Sequence, residues 1–111
     1  MKLFIEDNPN TKRAKAIYIL DDGKTKTITF GMKNSKGTFY DGATEEKKML
    51  YLNRHKARED WKSSGKFSAG FLSRWVLWSG KTKQDIIETL SKILKIDKKN
   101  IKINLKKISV R

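Results

Sequence analysis

AKAIYILDDGKTKTITFG, Ala14 to Gly31, decides the fold of this chain. Its first half, Ala14 to Leu20, is an apolar run of strand length and reads as a buried strand. Asp21-Asp22-Gly23 follows as a hairpin turn, because glycine takes the positive φ that a tight reversal between strands demands. Thr25 to Gly31 is the returning strand: Lys26, Ile28 and Phe30 alternate against Thr25, Thr27 and Thr29.

Upstream of this hairpin, Leu3 to Ile5 reads as a short strand, and the acids, asparagine and single proline after it mark a turn. Downstream, MKNSKGTFYDGA is a polar loop carrying two glycines and the pair Phe39-Tyr40. Thr44 fits a helix N-cap, with Glu45 and Glu46 placed in the first turn against the positive end of the helix dipole. That helix is expected to pass through Met49, Leu50 and Leu52 and to fade between Trp61 and Gly65. Phe67 to Trp78 is expected as a second helix with Phe71, Leu72, Trp75 and Trp78 along its buried stripe. Thr82 to Ile96 repeats Ile86, Ile87, Leu90, Ile93 and Leu94 at helical spacing and is the third. Asp97 to Asn100 is a turn, and Ile101 to Leu105 alternates as a strand.

Strands, helices and a last strand define an α+β class. The expected architecture is a single α+β domain over residues 1–111, a small antiparallel sheet or hairpin packed against two or three helices, with a C-terminal strand. Its core draws on Ile17, Ile19, Ile28, Phe30, Leu52, Phe71, Trp75, Leu77, Ile87, Leu90 and Leu94.

Charge is the strongest compositional signal. Lys and Arg total 26 against 12 Asp and Glu, a formal net charge of +14 over 111 residues. Such an excess concentrates polyanions, nucleic acid above all. The plain alternative is a soluble protein of lysine-rich composition. Cysteine is absent, which excludes disulfides, thiolate catalysis and cysteine-zinc sites. No signal peptide is recognisable at the N-terminus, and no run approaches the roughly 18 apolar residues of a membrane span.

The densest chemistry lies in YLNRHKAREDW, Tyr51 to Trp61, which contains the single histidine. His55 and Glu59 stand four apart and can touch on a helix, as can Lys56 and Asp60. A carboxylate beside an imidazole can tune a general base, but no nucleophile is placed for it. A histidine flanked by Arg54 and Lys56 repels a metal cation. No catalytic residue, cofactor or metal is therefore expected. Gly31 to Gly37 lacks the spacing of a phosphate-binding P-loop and reads as a flexible surface turn, with a phosphate contact left open.

A nucleic-acid grip fits better. Tyr51, His55, Arg58 and Lys62 follow a 4-3-4 spacing that shares one face if the helix lasts that long, with Arg54 beside them. Such a row can track phosphates. The structural alternative is that the arginines and acids lock one another in a buried network. Near the C-terminus Lys92, Lys95, Lys98, Lys99, Lys102, Lys106, Lys107 and Arg111 oppose Asp97 alone after Ser91. With Lys12, Arg13 and Lys15 they offer a positive surface, sufficient for backbone binding without sequence readout. Trp61, Trp75 and Trp78 read as core residues.

The motifs are also familiar. Tyr51, Leu52, Arg54, His55, Arg58, Glu59, Asp60 and Trp61, followed by Ser68, Ala69, Gly70, Phe71, Ser73, Leu77 and Trp78, resemble a signature (Arg-His, Arg-Glu-Asp-Trp, Ala-Gly-Phe, Leu-Trp). That signature belongs to a family of small basic proteins of uncharacterised function from large double-stranded DNA viruses and tailed phages. The likeness spans about Ile28 to Leu105. Ser79-Gly80-Lys81-Thr82 departs from it where relatives tend to carry a proline. The resemblance implies a viral protein without known catalysis, and it assigns no active site.

The expected function is thus non-enzymatic, sequence-independent binding to nucleic acid, DNA first, in or near the virion or in the host nucleus or cytoplasm. The rival is a structural or minor capsid role against acidic virion proteins. Nothing in the sequence separates DNA from RNA or duplex from single strand, and the oligomeric state stays open.

Overall fold

Gly23 adopts φ +86° and its N–H donates to the Leu20 carbonyl at 2.9 Å, while the Leu20 N–H donates to the Lys24 carbonyl at 2.8 Å. This three-residue reversal matches the right-handed twist of the strands it joins. It links β2 (Lys12–Ile19) to β3 (Thr25–Met32) in antiparallel register, with Ala16 opposite Ile28 and Ala14 opposite Phe30. The computed structural model describes residues 1–33 and 35–110. The cation Arg111 and the loop residue Asn34 lie outside the described residues.

β1 (Lys2–Asp7) pairs antiparallel with β2, and β4 (Ile101–Asn104) joins the other side of β1 in parallel, giving a mixed sheet of order β3-β2-β1-β4. Parallel neighbours need a crossover, and the helices supply it. They are α1 (Glu45–His55), α2 (Ala69–Leu72), which continues directly into a π-helical turn at Ser73–Leu77, and α3 (Lys83–Leu94). The α+β class expected from element order is the class observed.

The strand alternation sorts the sheet into two faces. Leu3, Ile5, Ala14, Ala16, Tyr18, Phe30, Ile101 and Ile103 point inward and form one core cluster with Phe71, Leu72, Val76, Leu77, Ile86, Leu90 and Leu94. Ile17 and Ile19, expected in the core, lie on the opposite face and are half-buried. Both parities of β2 are apolar, so hydrophobicity alone did not choose between them. The alanines face inward, where small side chains leave volume for Tyr18, Phe30 and Phe71 at interior packing density. Leu52, also expected inside, is half-buried on α1, a helix with no fully buried residue.

The second helix is shorter and differently wound than its apolar pattern predicts. The π turn, in which the Trp78 N–H donates to the Ser73 carbonyl at 3.1 Å, widens the helix by one residue. Val76 and Leu77 therefore take the inner positions, and Trp75 and Trp78 rotate to the half-buried flank. The loop after β3 is also no loose surface turn. Gly37, Thr38, Phe39, Tyr40 and Ala43 are buried.

A buried ion pair ties this loop down. Arg13 donates to both oxygens of Asp41 at 2.6 Å, and Asp41 also accepts from the N–H and hydroxyl of Thr38 and the N–H of Ile108. Burial alone would raise the Asp41 carboxyl, but these hydrogen bonds hold it below the usual carboxylate range. Arg13 reaches the Lys106 carbonyl at 3.1 Å as well, so sheet, loop and C-terminal tail meet at one guanidinium. Arg13 is accordingly structural and absent from the positive surface.

Candidate functional site

The Tyr51 to Trp61 motif is not one long helix. α1 ends at His55, and the chain turns through Lys56, Ala57 and Arg58, with the Arg58 N–H on the His55 carbonyl at 3.0 Å. The expected common helix face of Tyr51, His55, Arg58 and Lys62 therefore does not form. The acids explain the stop. Glu59 accepts His55 Nδ1 on one oxygen at 2.8 Å and the Trp61 indole N–H on the other at 2.9 Å, which folds the chain back. Asp60 then caps the next turn, accepting the Lys62 N–H at 3.0 Å and the Ser64 hydroxyl at 2.6 Å. Those two bonds hold the Asp60 carboxyl below its ordinary range.

The second half of the signature locks onto the first. A Cβ at Gly70 would lie 2.8 Å from the Glu59 carboxylate, so only glycine admits that side chain. The Trp75 indole N–H donates to the Trp61 carbonyl at 2.8 Å. Tyr51 stacks on His55 at 4.4 Å and on Trp78 at 4.5 Å between ring centroids. Burial, with Glu59 near, pushes the Tyr51 phenol above its ordinary pKa. Arg74 packs on the faces of Trp75 and Trp61 at 4.2 and 5.5 Å and donates to the Trp78 carbonyl at 2.6 Å. Its Nε is the single buried side-chain polar atom without a partner among the described residues. The acids and tryptophans thus build the scaffold. Arg54 and Arg58 do not lock it: both are exposed, and among the described residues Arg58 reaches the Arg54 carbonyl alone, at 3.3 Å.

This scaffold forms one wall of a cleft of about 630 Å³ between α1, the start of α2, the end of β3 and the loop at Ser35–Thr38. Phe30, Leu77, Tyr51 and Trp78 give it an apolar interior, and Gly31, Gly37, Ala69 and Gly70 contribute small residues to its lining. Lys12, Lys36, Lys47, Arg54 and His55 also line it. Glu59 is the one acid among the described lining residues, and both its oxygens already accept hydrogen bonds.

Of the residues expected to bind nucleic acid, the structure brings Tyr51, Arg54 and His55 into this cleft. Arg58 and Lys62 lie beyond the helix end, exposed and outside the lining. None of Lys95, Lys98, Lys99, Lys102, Lys106 and Lys107 is among the described residues lining this cleft. Lys95 is the C-cap of α3 at φ +56°. Lys98 pairs with Glu88 at 3.5 Å and Lys99 with Asp97 at 4.0 Å. Lys102 stands on the open face of β4, opposite Phe4. Lys106 is exposed, and Lys107 donates to the Lys81 carbonyl at 2.6 Å.

Sequence reasoning did not assign Lys36 or Lys47 to the site. Their signal was the glycine- and lysine-containing loop and the polar side of α1, which the Arg13–Asp41 clamp and the Tyr40 bonds to the Leu77 and Leu105 carbonyls help to bring together. Among the described residues, no three His, Asp or Glu side chains are grouped to hold a metal. No described helix is long and apolar enough to cross a membrane. The fold and cleft define a small, strongly basic, two-layer α+β protein. No family model, curated protein or solved structure matches the chain.

Proposed function

We propose that the protein binds nucleic acid, DNA first, through its phosphates and without catalysis, using the cleft beside α1. The observation that supports this reading is the composition of the cleft rim. Lys12, Lys36, Lys47 and Arg54 converge there, and Glu59, the single acid among the described lining residues, is engaged by His55 and Trp61. In a chain of net charge +14 the long-range field adds attraction for any polyanion. Packaged viral DNA, the setting implied by the motif resemblance, is a polyanion of this kind. A mixed pocket beside Phe39 carries Glu45, Asp85 and Glu88 among its lysines and is less suited.

The test is fluorescence anisotropy of a short random duplex across salt. Four rim cations neutralising about four phosphates give a log–log salt slope of about −3.6, or about 150-fold weaker binding between about 50 and 200 mM salt. Arg54→Ala, at an exposed position, should flatten the slope by about 0.9 with thermal stability unchanged. Absence of binding to any DNA in dilute buffer refutes the proposal and leaves acidic proteins as the partner class.

A further inference from the structure

The cleft is more than a cationic rail, and its apolar half points to the form of nucleic acid it takes. Resting on the phosphate-binding reading above, we infer that the cleft accepts an unpaired base and that the protein prefers single strands to duplex. Duplex DNA presents phosphates and sugars to a flat or convex surface, with its bases stacked away from a side wall. Lysines and arginines on any exposed surface would satisfy it. Here the cations instead share with two exposed apolar side chains the rim of a recess lined by Tyr51 and Trp78. Met32 on β3 is 73% exposed and Leu50 on α1 is 53% exposed, both lining the same cleft.

Large exposed apolar side chains gathered at a recess mark a binding surface. The occupant must be anionic at the rim and flat and apolar within, which describes a nucleotide whose base has left its stack. Single-strand binders combine a positive groove with aromatic rings on which bases lie. The stacked rings of His55, Tyr51 and Trp78 provide such a column, and an inserted base extends it. A second copy of this chain is the wrong occupant, because each copy carries a net charge of +14.

The experiment compares a dT oligonucleotide with a duplex of equal length, using the full chain and its Met32→Ser/Leu50→Ser double variant. Both positions are exposed, so the variant keeps its fold, checked by thermal melting. Expected is single-strand affinity about tenfold above duplex at about 150 mM salt. The salt slope should be shallower for the single strand, following about −0.7 per phosphate instead of about −0.9. The double variant should lose the single-strand advantage.

Equal or tighter duplex binding overturns this inference while leaving phosphate binding intact. A single-strand preference that survives in the double variant overturns the assignment to the cleft. Displacement of the oligonucleotide by polyglutamate of equal charge at equal concentration shows that charge alone is read, and overturns base insertion. Failure to bind either nucleic acid overturns the underlying reading as well.

Discussion

Glu59 occupies two roles with opposite sign, and Glu59→Gln should separate them. The carboxylate holds His55 Nδ1 at 2.8 Å and the Trp61 indole at 2.9 Å. A glutamine of the same shape accepts from one partner with its oxygen but turns an NH2 toward the other. One charge-assisted hydrogen bond is lost, about 2 kcal/mol for a half-buried group. An unfolding entropy of about 0.23 kcal/mol/K, expected for a chain of this length, converts that into a fall in Tm of about 8 °C. Binding should move the other way. Glu59 is the one acid among the described residues lining the cleft, so removing its charge strengthens attraction for phosphates. At about 8 Å and an effective dielectric of about 30, unit charges interact by about 1.4 kcal/mol. Screening at about 50 mM salt reduces this to about 0.8 kcal/mol, about fourfold in affinity. The assays are differential scanning calorimetry and anisotropy at about 15 °C, where the variant remains folded. A Tm change below about 2 °C would refute the structural role. An unchanged or weakened DNA affinity in the folded variant would refute placing the polyanion in this cleft.

Arg13→Ala should leave the Asp41 carboxylate buried without its cation and destabilise the protein by about 3–5 kcal/mol, read as a lower urea midpoint. Because the folded Asp41 carboxyl lies below its ordinary value of 3.8, its stabilisation is complete above that pH and lost as pH falls through the folded value. Urea titrations from about pH 7 to 2 should therefore show Asp41→Asn to be less stable at neutral pH but with a shallower acid decline than the parent. Gly70→Ala should displace the Glu59 carboxylate and lower stability by about 1–3 kcal/mol, with a change in Trp61 fluorescence as its indole loses that acceptor.

The parts of the fold that the sequence disclosed are those where one local signal had no competitor. The glycine at position 23 sits where the turn needs it, the threonine and apolar parities of β3 differ sharply, and Thr82 with the Ile86, Leu90 and Leu94 repeat sets α3. Errors arose where two signals tied. In β2 both parities are apolar, and the choice rests on volume across the sheet, which no local window contains. In the second helix the tryptophans outweigh Val76 and Leu77 in the apolar area they can bury. Yet the π turn rotates the indoles outward, where the Trp75 N–H donates to the Trp61 carbonyl, its face carries Arg74, and Trp78 stacks on Tyr51. A tryptophan satisfies its donor more easily at such a flank than in a dry core. The site shows the same division. Tyr51, Arg54 and His55 were legible because they share a helix, whereas Lys12 and Lys36 come from a strand end and a loop with no sequence relation to α1. Their convergence depends on Arg13, a cation counted among surface charges from sequence but spent inside, joining β2 to Asp41 and the tail. An informative residue for the cleft is therefore one that does not line it, since Arg13 helps, with the Tyr40 bonds to the Leu77 and Leu105 carbonyls, to fix the loop bearing Lys36.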